Sequence, residues 1–295
     1  MSFNTDFKSY SERVENWIRE NIKSENSPEK RVYDAMSYSL LAGGKRLRPV
    51  LSLAVCDMLE GDEKTVLPFA CALELIHTYS LIHDDLPCMD NDDYRRGKLT
   101  NHKVFGEAMA VLSGDGLLNL AFETMLLETI KSKDQGLYRA KAALLIAKAA
   151  GTTGMIGGQV IDMESEDREI SYELLCAMHQ KKTGALIKAS ILAIAELLNA
   201  HEEIKNSLEC YADNIGLAFQ IKDDILDFEG NSDIVGKPMG SDEKNHKATF
   251  VTVLGIKKAR ELLKTSVEQA VDALKPLKKA DFLIKTAVYI AERDK

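Results

Sequence analysis

The chain has 295 residues and a formal net charge of -8, with 45% hydrophobic and 6% aromatic residues. This charge argues against nucleic acid as the main partner, because a phosphate backbone requires a basic footprint. The low aromatic share and the abundance of helix-forming residues favour helices over strands. No linker or low-complexity tract divides the chain, so we expect 1–295 to form one domain.

The five cysteines are scattered and form no C-x-x-C pair. This pattern indicates reduced thiols instead of a disulfide framework or a structural zinc site. The N-terminal segment lacks the apolar core of a signal peptide. No apolar run approaches the ~18 residues that a membrane span needs. The sequence therefore predicts a cytoplasmic protein without a membrane span.

Helical periodicity dominates the chain. Apolar side chains recur every three or four residues, as one face of a helix requires. The predicted helices include 107–130, 135–150, 171–199, 201–227, 257–274 and 278–292, and Ser171 is placed to cap the third of these. No segment sustains a two-residue alternation, so we expect few or no strands. Breaks are predicted at Gly43-Gly44, Pro68, Gly97, Gly114, Gly151, Gly157-Gly158 and Gly230, with a functional loop over 228–247.

The first of two aspartate-rich motifs, DDLPCMD, runs from Asp84 to Asp90. In an ideal helix these two aspartates would lie on different faces. Pro87 cannot continue a regular helix, because it lacks the N–H and clashes one turn back. A break there would allow Asp90 to swing back toward Asp84.

The second motif, DDILD, runs from Asp223 to Asp227, and its first and last carboxylates share one helical face with Gln220. Carboxylates are hard oxygen ligands suited to Mg²⁺, which typically takes one or two of them and completes its shell with water and phosphate oxygens. Two such motifs suggest a site where several magnesium ions hold one diphosphate. The plainer alternative for either motif alone is a solvated acidic face.

Arg95 and Arg96 follow the first motif, and Lys237 and Lys247 lie in the loop after the second. Lys45 and Arg48 lie in a basic turn at a predicted helix start, and Lys182 lies within the predicted helix 171–199. Arginine and lysine clamps, together with magnesium, commonly hold phosphoryl groups, although any single pair could be a surface ion pair. The chain has no Walker loop and no G-x-G-x-x-G motif. His77 lies about two turns before Asp84 on nearly the same face, and could be either a functional group or a satisfied core histidine.

Several segments resemble the short-chain trans-prenyltransferases. HTYSLIHDDLPCMDNDDYRRG and FQIKDDILD are similar to the two aspartate-rich motifs of that family, and GGKRLRP, GDGLL, GGQVID and KKTGAL match further landmarks in the expected order. The resemblance runs from about residue 28 to the C-terminus and is nearest to the bacterial farnesyl diphosphate synthases. It implies an all-α fold, a single bundle of long, mostly antiparallel helices around a deep central cavity, and a homodimer. One departure is Lys247-Ala-Thr-Phe250, where relatives often carry Lys-Ser-Thr-Tyr.

The resemblance also implies residue roles. The magnesium ligands would be Asp84, Asp90 and Asp223, with three ions per active site when the allylic diphosphate is bound. The allylic diphosphate would be held by Arg95, Lys182, Lys237 and Lys247. Isopentenyl diphosphate would be bound by Lys45, Arg48, His77 and Arg96. Thr183 and Gln220 would face the reacting carbons, and Tyr79 and Ser80 would set the product length.

The implied reaction is the head-to-tail condensation of isopentenyl diphosphate with dimethylallyl and geranyl diphosphates, by ionisation, alkene attack and proton loss. The bulk of Tyr79 favours the C15 product, farnesyl diphosphate, and a geranylgeranyl diphosphate synthase is the alternative. A terpene cyclase normally needs no second basic pocket such as Lys45, Arg48 and Arg96 would form. A non-catalytic synthase subunit usually lacks one aspartate motif, whereas both are present here.

Overall fold

The computed structural model describes residues 3–23, 27–230 and 248–293. Its helices are α1 Phe3–Asn21, α2 Lys30–Leu40, α3 Leu47–Met58, α4 Glu63–Asp84, α5 Asn101–Phe105, α6 Glu107–Lys131, α7 Gly136–Ala150, α8 Met155–Ser165, α9 Tyr172–His179, α10 Ala185–Leu197, α11 Glu202–Glu229, α12 Phe250–Leu254, α13 Ile256–Leu274 and α14 Asp281–Glu292. Within the described ranges, the only sheet is an antiparallel hairpin of β1 Tyr94–Arg95 and β2 Lys98–Leu99. The prediction of an all-α fold is confirmed.

Helices α4 and α10 lie in the interior because their sequences are apolar on nearly every side, the pattern of a buried helix. Helix α4 packs against α3 and α6, and α10 packs against α3, α7 and α11. Phe69 and Ile76 of α4 and Leu186 and Ile191 of α10 are fully buried. The outer helices α1 and α13 instead present one apolar stripe to this core. The two interior helices therefore form a rigid support for the side chains at their ends.

The predicted helix over 171–199 is interrupted by a π-helical turn, Gln180–Gly184, between α9 and α10. Its predicted start is confirmed, since the Ser171 hydroxyl accepts a hydrogen bond from the Leu174 N–H at 3.2 Å. A π-turn inserts one residue into the helical ladder and often lies at a functional site. Here it contains Lys182 and Thr183, two of the predicted site residues.

The glycine and proline breaks are only partly as predicted. Gly43-Gly44, Gly97, Gly151 and Gly230 do lie between elements. Pro68, Gly114 and Gly157-Gly158 lie inside α4, α6 and α8, so those predicted breaks are wrong. Pro68 falls in the second turn of α4, where the helix loses one hydrogen bond and continues.

The helical glycines serve close packing instead of chain reversal. A Cβ atom on Gly158 would lie 2.2 Å from the backbone nitrogen of Lys182, and one on Gly114 would lie 2.1 Å from Nε2 of His83. Real Cβ atoms essentially never show such distances, so a side chain at Gly158 would meet fixed backbone and one at Gly114 would displace the imidazole. Gly158 therefore brings α8 directly against the π-turn.

Among the residues that the structure describes, three helical stretches are long and apolar enough to cross a membrane by length and composition: Glu63–Asp84, Glu107–Lys131 and Gly136–Ser165. This corrects the expectation that no segment approaches such a length. The mean hydropathy of each stretch is high although polar and charged residues interrupt its apolar runs. In the first stretch 72% of the apolar window is buried, against 33% and 28% in the other two. Much of the apolar surface of α6, α7 and α8 therefore faces outward.

Candidate active site

A cavity of about 480 Å³ lies between α4, α6, α8 and the π-turn. It brings together seven of the predicted site residues: Arg48, His77, Tyr79, Ser80, Asp84, Lys182 and Thr183. Much of the remaining wall is apolar, including Leu118, Met155, Ile156, Val160 and Met163. A mostly apolar cavity with a few convergent charged groups is the usual form of a small-molecule site. This one suits a ligand with an anionic head and a hydrocarbon body.

The first aspartate motif folds back at the end of α4, as Pro87 predicted. Helix α4 ends at Asp84, and the backbone N–H of Asp90 donates a hydrogen bond to the carbonyl oxygen of Asp84 at 2.9 Å. Asn91 completes the reversal in the left-handed conformation, with φ of 53°. The six-residue separation in the sequence is thus closed by a turn.

Burial raises the pKa of Asp84 to about 6, the Lys182 ammonium opposes this shift, and the charge of Asp90 adds to it. An ionised carboxylate here is costly until a cation lies beside it. Across residues 3–23, 27–230 and 248–293, no three His, Cys, Asp or Glu side chains converge closely enough to hold a metal alone. This donor set fits Mg²⁺, because Mg²⁺ takes few carboxylates and completes its shell with phosphate oxygens and water.

Asp85 is buried and forms an ion pair with Arg95 at 2.6 Å. The same guanidinium lies 3.5 Å from Asp92. Arg95 therefore ties the β1–β2 hairpin to the end of α4. Its predicted contact with the allylic diphosphate stays a prediction.

Asp223 of the second motif pairs with Arg293, just beyond α14, at 2.6 Å. The Arg293 guanidinium also donates to the Phe219 carbonyl oxygen at 2.9 Å and lies 4.1 Å from the centroid of the Phe219 ring. Sequence reasoning missed Arg293, since nothing near residue 293 signals a partner 70 residues earlier. This contact holds the end of the described chain beside a predicted magnesium ligand.

Asp224 points inward, although it is adjacent to Asp223. Its carboxylate accepts a hydrogen bond from the Phe250 N–H at 2.7 Å and one from Nε2 of Gln220 at 3.3 Å. Phe250 is the first residue of α12, so Asp224 satisfies a helix N-terminus that would otherwise be buried without a partner. Gln220, predicted to face the reacting carbons, is held by this carboxylate.

Arg48 and His77 form the basic end of the cavity. Burial lowers the pKa of Arg48 to about 10, an effect that Glu74 opposes and Arg96 strengthens, while the charge of Asp223 also opposes it. Burial, followed by the positive charge of Arg48, lowers the pKa of His77 well below its ordinary value. The imidazole is therefore neutral at pH 7, and Arg48 supplies the positive charge at this end of the cavity.

Arg96 reaches this region across the glycine turn after α2. Its guanidinium donates to the Gly43 carbonyl oxygen, and a Cβ atom on Gly44 would lie 2.6 Å from Cζ of Arg96. Gly44 has φ of +127°, so both its backbone conformation and this contact require glycine. The glycines of the GGKRLRP landmark thus leave room for Arg96 of the hairpin turn.

A buried ion pair that sequence reasoning missed lies beneath the arginines. Nη1 of Arg46 lies 2.7 Å from the Glu74 carboxylate, and both side chains are almost fully buried. Glu74 is one turn before His77 on α4. Its negative charge also raises the pKa values of Arg48 and Arg96. It therefore partly neutralises a cluster of guanidiniums that would otherwise repel one another.

The π-turn sends its two lysines to different partners. Lys182 pairs with Asp162 of α8 at 2.6 Å, whereas Nζ of Lys181 donates to the Thr153 carbonyl oxygen at 2.8 Å. Asp162 ends the GGQVID landmark and Gly158 lies within it. The two landmarks GGQVID and KKTGAL are thus one packed unit, which points Lys182 at the cavity.

Six predicted residues that the structure describes do not line this cavity: Lys45, Asp90, Arg95, Arg96, Gln220 and Asp223. Lys45 lines a separate cavity of about 270 Å³ with Phe3, Phe7 and Tyr289. Lys237 and Lys247 lie outside the described residues. The family resemblance placed Lys45 with Arg48, but the two side chains line different cavities.

The model of the polyprenyl synthetase family matches residues 29–283. The chain belongs to this family. This polyprenyl synthetase is 45% identical over 282 residues to a farnesyl diphosphate synthase of Micrococcus luteus, covering 95% of this chain and 96% of that one. It is also 45% identical over 265 residues to a geranylgeranyl diphosphate synthase of Cyanophora paradoxa, covering 89% and 88%.

A solved structure of an FPP/GFPP synthase from Zymomonas mobilis superposes on this polyprenyl synthetase with a TM-score of 0.88. The two share 38% identity, and the match covers 98% of each chain. The predicted resemblance to prenyltransferases and the all-α fold are both confirmed. The relatives' names include more than one product length.

Proposed function

We propose that this polyprenyl synthetase is a magnesium-dependent prenyltransferase that joins isopentenyl diphosphate to dimethylallyl and geranyl diphosphates, giving farnesyl diphosphate. The observation that carries this proposal is the cavity, with Asp84, Arg48 and Lys182 among its charged groups and an apolar wall beyond them. A prenyl diphosphate has the same division between an anionic head and a hydrocarbon chain. The whole of 1–295 would act as one isoprenoid synthase domain.

In this proposal Asp84, Asp90 and Asp223 hold the magnesium ions, three with the allylic diphosphate bound. When bound, these ions neutralise the charge that develops on the leaving diphosphate. Lys182 contributes positive charge to the same leaving group. Arg48, Arg96 and neutral His77 hold isopentenyl diphosphate. Because both substrates are anionic, each needs its own set of cationic side chains. The separate positions of Lys182 and of the two arginines agree with this requirement.

The reacting carbons would lie against the apolar wall, with Thr183 and Gln220 facing them. Ionisation leaves an allylic cation, and the alkene of isopentenyl diphosphate attacks it to form the new C–C bond. Loss of one proton, accepted by the released diphosphate, restores the double bond. Leu118 and Met155 line the apolar wall and exclude water that would otherwise capture the cation.

Tyr79 supports farnesyl diphosphate as the product. Its ring is only 6% exposed and lines the cavity below Asp84. A rigid ring in this position stops the growing chain, so Tyr79→Ala should shift products to C20 or longer. Tyr79→Phe keeps the ring and should still make C15, which makes it the matched control. A folded Tyr79→Ala variant that makes only C15 would show that another group forms the stop.

The deciding experiment is product analysis by mass. The purified chain is incubated with isopentenyl and dimethylallyl diphosphates, with Mg²⁺ and with excess chelator. We expect C15 diphosphate with Mg²⁺, no product with chelator, and recovery when Mg²⁺ is restored. A C20 product would favour the geranylgeranyl diphosphate synthase alternative, which the Cyanophora paradoxa relative supports. A chain that makes no product from these substrates but releases a cyclised hydrocarbon from geranyl or farnesyl diphosphate would favour a terpene cyclase, and absence of product from all four diphosphates would favour a non-catalytic subunit.

We further propose a homodimer, supported by the apolar surface of α6 and α7. Its large exposed side chains, which we call the outer apolar face, are Leu126, Leu127, Ile130, Leu137 and Leu144. Ile130 is 79% exposed and Leu137 67%. Exposed large apolar side chains are costly in water, and a second copy of the chain would cover them.

A cytoplasmic location is part of the same proposal. All five cysteines are free in the structure, which agrees with a reducing compartment. Cys88 and Cys210 are exposed and would be open to oxidation outside a reducing compartment. Isopentenyl diphosphate is also a water-soluble substrate that suits an aqueous compartment.

A further inference from the structure

We infer that His83, held against Gly114, is a second determinant of product chain length beside Tyr79. The inference rests on the proposed condensing function. It concerns a residue to which the sequence analysis gave no role, although His83 lies within the first motif, immediately before the aspartate pair. The evidence is the contact between the end of α4 and the middle of α6.

His83 lies in the wall of the cavity, one turn after Tyr79 on the same face of α4. The two rings meet edge to face, with centroids 5.7 Å apart and planes at 79°. Edge-to-face pairs are favourable because the positive edge of one ring meets the negative face of the other. The position of the tyrosine ring is therefore coupled to that of the imidazole.

Helix α6 fixes the other side of the imidazole. Nε2 of His83 donates a hydrogen bond to the Val111 carbonyl oxygen at 3.1 Å, and it lies 4.0 Å from the Asp115 carboxylate. A carbonyl oxygen can only accept, so Nε2 carries the proton in this contact. His83 thus bridges α4 and α6 across the cavity wall, and Asp115 lines the same cavity.

Gly114 creates the space for this bridge. A Cβ atom there would lie 2.1 Å from Nε2, 2.5 Å from Cδ2 and 2.9 Å from Cε1 of His83. Glycine in a helix interior is less favourable than alanine. Its presence in the middle of α6 is explained by the imidazole, which lies directly on the helix backbone.

The consequence is a cavity depth set by two coupled rings. With glycine at position 114, the imidazole lies against α6 and supports the Tyr79 ring from the side. A methyl group at 114 would force the imidazole away from α6, toward Tyr79 and the cavity. Removal of the imidazole would leave Tyr79 without its lateral support and would widen the cavity there.

The test compares His83→Ala, Gly114→Ala and the double variant His83→Ala/Gly114→Ala by product mass analysis. We expect His83→Ala to give products at least one C5 unit longer than the wild type. Gly114→Ala should raise the share of C10 product several-fold. The double variant should match His83→Ala, because the added methyl group no longer meets a ring. Such non-additivity is the signature of a direct contact.

Gly116→Ala is the matched control for the loss of a helical glycine. A Cβ atom at Gly116 would lie 3.1 Å from Sδ of Met36, a flexible side chain, and Gly116 has no contact with His83 within 4 Å. We expect its product distribution to equal that of the wild type. Thermal unfolding of each variant verifies folding, and His83→Ala alone tests the inference if Gly114→Ala does not fold.

Total incorporation of isopentenyl diphosphate reports the proposed function, whereas product length reports this inference. Wild-type product lengths from a folded, active His83→Ala variant would overturn the inference and leave the proposed function intact. If Gly114→Ala changed the product lengths equally in the wild-type and His83→Ala backgrounds, the proposed coupling between the two residues would be wrong. A wild-type chain that incorporates no isopentenyl diphosphate would overturn the proposed function and this inference with it.

Discussion

At the scale of single residues, burial changes the proton affinities of the cavity's charged groups in opposite directions. It raises the pKa of Asp84 to about 6 and lowers the pKa of Arg48 to about 10. Each shift disfavours the charged form, because a low-dielectric wall solvates charge poorly. The cavity without ligand is therefore electrostatically costly, and this cost is relieved when opposite charges enter.

Asp84 should make the stability of the metal-free protein depend on pH. The unfolded carboxyl loses its proton near pH 3.8 and the folded one near pH 6. Between these values the folded state binds more protons, so the free energy of unfolding should fall as the pH rises from about 4 to 6. Urea denaturation in chelator measures this slope. Asp84→Asn should flatten it, and an unchanged slope in that variant would contradict the assignment.

Arg96 and Lys182 should have separable effects on catalysis. Arg96→Ala should chiefly raise the KM for isopentenyl diphosphate, because it removes a ground-state contact. Lys182→Ala should chiefly weaken use of the allylic substrate or lower kcat, because its charge acts on the leaving diphosphate. Initial rates with each substrate varied in turn distinguish the two.

Lys181→Ala is the control for this pair, since Lys181 is adjacent to Lys182 but binds the Thr153 carbonyl oxygen. We expect it to keep both KM values. If Arg96→Ala and Lys182→Ala both weakened the use of the two substrates to the same extent, the two-site assignment would be wrong.

At the scale of elements, the site depends on contacts between helix ends. The π-turn aims Lys182, the end of α4 carries Asp84, and the start of α12 rests on Asp224 of α11. Helix ends suit this role because their backbone groups lack intrahelical partners and accept contacts from elsewhere. The interior helices supply rigidity, and their ends supply the chemistry.

Asp224 should matter for stability as well as for activity. Asp224→Ala leaves the buried Phe250 N–H without a partner and should lower the free energy of unfolding by about 1–3 kcal/mol. Asp224→Asn retains an acceptor and should lose less. Urea denaturation without substrate measures both. Asp272→Ala, which removes an exposed ion pair with Lys275, should cost only about 0–1 kcal/mol. Equal losses at both positions would refute the capping role.

At the scale of the whole molecule, apolar surface is divided between the core and the outer apolar face. Helix α4 buries most of its apolar window, whereas those of α6 and of Gly136–Ser165 are mostly unburied. Helix α6 lines the cavity on one side through Leu118 and is exposed on the other through Leu127. A partner on the outer apolar face would therefore also support a wall of the cavity.

Association should depend on this face. We expect light scattering to give twice the 32.7 kDa chain mass, and Leu127→Glu to shift the protein toward the monomer, because the buried charge would lack a partner. Leu174→Glu, at an exposed position on α9, should leave the mass unchanged. A monomeric wild type, or a dimeric Leu127→Glu variant, would refute the proposed interface.

The sequence by itself determined the helical class, most helix positions and the two aspartate motifs. These depend on information local to the chain: a 3.6-residue apolar period, a cap such as Ser171, and a proline that reverses the chain between Asp84 and Asp90. The order of the motifs also predicted the family, which the comparisons confirmed. Local patterns suffice wherever the interacting residues are near one another in the sequence.

Only the tertiary structure decided which distant residues meet. The pairs Arg293–Asp223 and Arg46–Glu74 join elements far apart in the chain, and no local pattern encodes them. Gly114 reads as a helix breaker in the sequence, but it is a contact for His83 in the fold. Glycine lowers helix propensity by only about 1 kcal/mol, which burial of neighbouring side chains readily exceeds. Packing therefore overrides local preference where helices come closest, and the site is built from those same contacts.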